Sequence, residues 1–182
     1  MDEKMSLEKV IEIGTQVGVR TALETIEKIK AETRNSRYNR RLRNTKLLLQ
    51  NYRNFLEFKE DAIYSSKQKN AVDLLDFLSK NIDNEELYIE SIKRSTERTA
   101  IILSHIDSMI DAFKVISERS LKAEESRRFK IIKAMYIDIP EKNIEDIAKE
   151  NFIDVRTVYR DRDAGIKHLT VLLFGIDGLK IT

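Results

Sequence analysis

Near the C-terminal end of the chain, Arg156, Arg160, Asp163 and Lys167 follow one another at steps of four, three and four residues. At 3.6 residues per turn they share one side of a helix. Thr157 and Asp161 flank the row, and the wheel position of Tyr159 borders the core. Such a set can read nucleic acid. An arginine fork can hold a guanine edge with two N–H groups, and threonine or tyrosine reaches a phosphate or a thymine methyl. On residue type, Arg156, Thr157, Tyr159 and Arg160 are the expected base or backbone contacts, and Lys167 a phosphate contact. The same periodicity equally serves a compact three-helix core with a solvated charged face.

A helix that reads DNA must be locked from behind. Opposite the polar row, Val155, Val158, Ile166, Leu169, Leu172 and Leu173 fall together, with Gly165 beside them. The spacing predicts a helix over 154–174, stopped at Gly175. Ahead of it, residues 144–150 (IEDIAKE) form a short helix with Asn143 as N-cap and Asp146 three residues on. Its Ile144, Ile147 and Ala148 turn to the same apolar side, and small Ala148 allows close approach. The turn Asn151-Phe152-Ile153 joins the two. Before them, residues 126–136 (SRRFKIIKAMY) carry Phe129, Ile132 and Met135, with Ile137 just beyond. Asp138-Ile139-Pro140 ends that helix, because proline lacks an N–H and disfavours helix in its predecessor. Two short helices joined by a turn of three or four residues are the spacing of a helix-turn-helix.

The remainder of the 182 residues is expected to be helical as well. Charged residues make up 35%, with one proline, five glycines and no tryptophan, so strand and turn punctuation is scarce. The expectation is an all-α protein with a helical body over 1–120, built on long amphipathic helices, and a helix-turn-helix domain over 124–182. Ser6 is placed to cap a first helix running through Val10, Ile11, Val17, Leu23, Ile26 and Ile29, with a break or a close helix contact at Gly14 and Gly18. From 34 to 53 seven basic residues occur without an acid. Tyr38, Leu42, Leu48, Leu49, Tyr52 and Phe55 form the apolar face of that stretch, and Arg43, Lys46 and Arg53 lie furthest from it. These three are a second expected contact to nucleic acid or a partner; the alternative is a solvated face paired with acids elsewhere. Residues 64–70 read as a boundary and 71–78 as a short apolar helix. One long helix is expected from about 84 to 118, roughly 50 Å at 1.5 Å per residue. Its wide stripe includes Ile92, Ile102, Leu103, Ile106 and Phe113, and packs on the N-terminal helices or on a second protomer. Residues 117–125 read as a polar linker or a continuing helix.

Two blocks near the C-terminus carry a likeness to known families. Residues 144–169 (IEDIAKENFIDVRTVYRDRDAGIKHL) resemble region 4 of bacterial sigma factors, in which IA, a turn and a short polar cap precede a basic recognition helix with spaced leucines. Asp161 departs from that pattern, which has an apolar residue near this position. The segment VRTVYRDRDAGIKHLTVLLFGIDGL is similar to the C-terminal end of the ArpU/RinA-type phage transcriptional regulators. RLRNTKLLLQNYR and IKRSTERTAIILSHID are similar to their N-terminal portions. The resemblance implies a prophage-encoded late-gene activator that binds double-stranded DNA and works with the host's RNA polymerase.

The chemistry of an enzyme is absent from the sequence. His105 and His168 stand far apart without a second ligand at metal spacing, and a lone histidine at a stripe's edge is ordinarily structural. There is no glycine-rich phosphate loop and no nucleophile elbow. No catalytic residue, metal or cofactor is therefore expected. With no cysteine, no apolar leader and no run of about 20 apolar residues, the chain reads as cytoplasmic and not as a membrane protein, and the resemblance implies a bacterial host cell. Two other functions fit the same residues. One is a sigma-like adaptor that binds RNA polymerase with little DNA affinity of its own. The other is a small-terminase-like DNA-packaging protein with an oligomerising body.

Overall fold

A computed structural model describes residues 7–57, 75–76, 85–93 and 96–179. Among them every regular element is helical: α1 (Leu7–Gln50), α2 (Tyr52–Glu57), α3 (Glu85–Lys93), α4 (Thr96–Arg119), α5 (Ala123–Ile132), α6 (Ile144–Glu150) and α7 (Val155–Phe174). A π-helical turn, Lys133–Ile137, prolongs α5, and a 3-10 turn, Gly175–Gly178, follows α7. The all-α class is thus as expected. Ser6, the 64–70 boundary and most of the 71–78 helix lie outside the described residues.

Two compact units divide the chain at Arg37/Tyr38. In the first, α1 runs without interruption through Gly14 and Gly18. Among the described residues neither the expected break nor a close contact occurs there, and a Cβ on either glycine would meet nothing within 4 Å. Each glycine costs a helix only about 1 kcal/mol, too little to end it.

In the second unit, Tyr38–Leu179, the later half of α1 and α2 supply Leu48, Tyr52 and Phe55 to a core shared with Ile92, Ile102, Leu103 and Ile106. Tyr38 and Tyr52 are buried, as their positions on the apolar face require. A second core joins Leu49, Phe113, Ile132, Tyr136, Ile166 and Leu169. Residues on both sides of the 117–125 stretch therefore bury one another. The stripe on α3 and α4 is covered by this chain itself, at Ile92, Ile102, Leu103, Ile106 and Phe113.

The long helix expected over 84–118 is described in two pieces, α3 and α4. The Thr99 hydroxyl donates to the Ile92 carbonyl at 3.0 Å. Residues 94 and 95 lie outside the described set.

Buried polar pairs bind α7 to the earlier helices. The Thr45 and Thr170 hydroxyls hydrogen-bond at 3.0 Å, both fully buried. The His105 ring nitrogen Nε2 lies 3.1 Å from the Leu173 carbonyl, a structural use of that histidine. Arg41 pairs with Asp76 at 3.1 Å and sits 5.8 Å over the Phe174 ring. Tyr52 donates to Asp107 at 2.6 Å; burial, reinforced by that carboxylate, pushes its phenol well above the usual range. Past α7 the chain folds back. Gly175 takes φ +63, where a side chain would be strained, and a Cβ on Gly178 would stand 2.4 Å from the Thr170 carbonyl oxygen.

Candidate nucleic-acid interface

Three helices build the surface that carries the polar row. α5 is buried on two sides: Ile132 and Tyr136 face α4 and α7, while Ile131 and Ala134 join Ile147, Ala148 and Val158. That last cluster fastens α6 and the start of α7, with Met135, Ile144 and Ile153 at its margin. Gly165 lets α7 approach α5 so closely that an added Cβ would come within 2.7 Å of Ile132. Four residues separate α6 from α7. The chain reverses there because Phe152 adopts φ 53, a left-handed conformation, with its ring in solvent.

Both helices start where their caps dictate. Asn143 accepts the Asp146 N–H at 2.8 Å, and Asp154 accepts the Thr157 N–H at 2.8 Å. The Thr157 hydroxyl also donates to Asp154 at 2.8 Å. That hydroxyl bond, and the N–H bond after it, hold the Asp154 carboxyl below the usual carboxylate range. Thr157 is thus half-buried and committed to the cap, while Arg156, Tyr159, Arg160 and Lys167 are exposed. The acid within the row is engaged: Asp163 accepts from Arg162 at 2.6 and 2.9 Å, and Arg162 stacks 4.8 Å over Tyr159. Among the described residues neither Arg156 nor Lys167 has a carboxylate within ion-pair distance. The outward face therefore carries net positive charge.

Two positions differ from the wheel reading. Val155, assigned to the apolar side, is 38% exposed, because it precedes the point at which α6 covers α7. Asp161, placed beside the polar row, is 1% exposed and accepts from Arg127 Nε at 2.6 Å, with Arg128 Nε at 4.0 Å and Arg160 Nε at 3.8 Å. Asp161 thus occupies a core position as a carboxylate neutralised from α5. Arg128 also pairs with Glu125, whose other oxygen is 3.6 Å from His168 Nδ1. Sequence reasoning missed this charged seam between α5 and α7, whose signal was an acid at a position where the apolar spacing of the helix continues.

The second basic group divides. Arg43 and Lys46 are exposed. Arg53 is tied down: it donates to the carbonyls of Met135 and Asp138 at 2.9 and 3.0 Å and pairs with Glu141 at 3.1 Å. It locks α2 to the end of α5, so the three residues do not form one free patch.

Comparisons with protein-family models, with curated proteins and with solved structures give no match. No helix among the described residues is long and apolar enough to cross a membrane.

Proposed function

We propose that the chain is a sequence-specific DNA-binding transcription regulator, with α6 and α7 acting as its helix-turn-helix. One observation carries this reading. The first half of α7 presents Arg156, Tyr159 and Arg160 outward, while its opposite side is held by Val158, Ala148 and Ile147 in a buried three-helix core. Such a helix offers donors from a rigid support, as major-groove reading requires. In this reading the Thr157 hydroxyl is engaged by the cap residue Asp154, and a DNA contact would use its methyl group. Lys167, two turns beyond Arg160, is assigned to phosphate. The sequence resemblance adds the biological setting: activation of phage late genes beside the host RNA polymerase.

Arg160→Ala is expected to weaken specific binding by roughly 1–3 kcal/mol and to relax one position of the recognised sequence. Lys167→Ala should weaken binding to all sequences alike and reduce the salt slope by about one. Titrations of both variants at several salt concentrations distinguish the roles. An Arg160→Ala protein with unchanged sequence preference and a reduced slope would move that residue to the phosphate class.

The polymerase adaptor differs in two measurable respects. It predicts no footprint by the isolated chain and co-purification with polymerase. A packaging protein would instead assemble into a large ring and bind a packaging site.

A further inference from the structure

Two rows of side chains run along the exposed side of the first turns of α7, and only one of them is charged. Arg156 and Arg160 form the cationic row; Val155 and Tyr159, each one position earlier, form the other. Residues four apart are neighbours on a helix surface, so each row is continuous. Val155 is 38% and Tyr159 41% exposed, and the Arg162 guanidinium 4.8 Å over the tyrosine ring holds it in place.

Phe152, three residues before Val155, extends the apolar material into the turn and is 96% exposed. Its backbone closes the end of α6. The Phe152 N–H donates to the Lys149 carbonyl at 3.2 Å, and the Ile153 N–H to the Ala148 carbonyl at 3.0 Å. Glycine usually stands at the first of these two positions, because the closure needs a positive φ, here 53. Glycine would make this bend with less strain, and a phenyl ring open to solvent does not offset that strain by packing. The fold of the chain therefore does not explain the ring.

We infer that Phe152, Val155 and Tyr159 select thymine, by covering its 5-methyl group beside the bases and phosphates that the arginines hold. The strip acts within the DNA-reading face proposed above, on which this assignment rests, and adds the base that the face selects. Its occupant must suit both rows at once. In the major groove the thymine methyl is an apolar group among hydrogen-bonding base edges, between two lines of phosphates. An apolar row beside a cationic one matches that alternation. An apolar protein partner would leave Arg156 and Arg160 desolvated and unpaired, and three side chains are too few for a stable protein interface.

The test uses two random-sequence duplex pools, one made with thymine and one with uracil, which lacks only the 5-methyl group. The full chain is expected to select thymine-containing sites from the first pool. The same sites rebuilt with uracil should bind roughly fourfold more weakly for each methyl group covered, the worth of one buried CH2. Val155→Ala should bind thymine and uracil alike at one position, while the preference set by the arginines remains. Phe152→Gly should melt no lower than the unaltered protein, since glycine suits the bend, yet bind thymine sites more weakly. Uracil sites bound as tightly as thymine sites would overturn the inference and leave the DNA-reading face standing. A thymine preference kept by both variants would also overturn it, and give the apolar strip to a protein partner. No sequence preference in either pool would overturn the DNA-reading face itself, and the thymine assignment with it.

Discussion

Arg127→Leu is expected to destabilise the protein by roughly 3 kcal/mol, the lower end of the loss seen when one partner of a buried ion pair is removed. Asp161 is 1% exposed, and Arg127 supplies its shortest contact, at 2.6 Å. Without that guanidinium the carboxylate stays buried, attended only by Arg128 and Arg160 at 4.0 and 3.8 Å. These two cations soften the loss and set the estimate at the low end. For a protein of this size the midpoint should fall by about 6–12 °C. Asp161→Leu should cost less, because the Arg127 side chain remains 22% exposed and can turn to water. The double replacement should recover much of the loss, since a well-packed apolar pair often equals a buried ionic one. Thermal melts of the three variants check the ranking. Equal losses for both single changes, with no recovery in the double, would mean that Asp161 is held by packing and not by its partner.

Phe113→Ala should be the most damaging truncation in the protein, at about 3–5 kcal/mol. The ring is fully buried and meets Phe129 edge-on at 5.6 Å and His168 at 4.7 Å. It also joins Leu49 of α1, Ile132 of α5 and Ile166 and Leu169 of α7 in one cluster. Removing it opens a cavity where four helices meet, and packing this dense does not close over such a space. Phe113→Leu should retain more than half of the stability at issue. Urea unfolding of both proteins is the measurement; a loss below about 1 kcal/mol for alanine would show that the helices can collapse inward.

The two changes also mark what could be read from the sequence. The start of α6 and the limits of α7 were legible because Asn143, Asp154 and Gly175 are local signals whose hydrogen bonds and φ involve only near neighbours. The exposed row of Arg156, Arg160 and Lys167 was legible for the same reason: a helical wheel fixes which residues share a side. A wheel gives an angle and no partner, so it places Asp161 on the polar flank, whereas Arg127, thirty-four residues earlier, neutralises it in the core. Arg53 is a similar case, since the carbonyls that hold it lie 82 and 85 residues away. Gly14 and Gly18 misled too, suggesting a break that their modest cost does not enforce.

The most direct test of the reading face is selection of bound fragments from genomic DNA at several salt concentrations, with Arg156→Ala/Arg160→Ala beside the unaltered protein. A discrete enriched site that the double variant loses is the expected result, and it would name the regulated gene. Weak, uniform and steeply salt-dependent binding that the variant keeps would contradict it, reducing the contact to phosphate alone and leaving specificity to a partner.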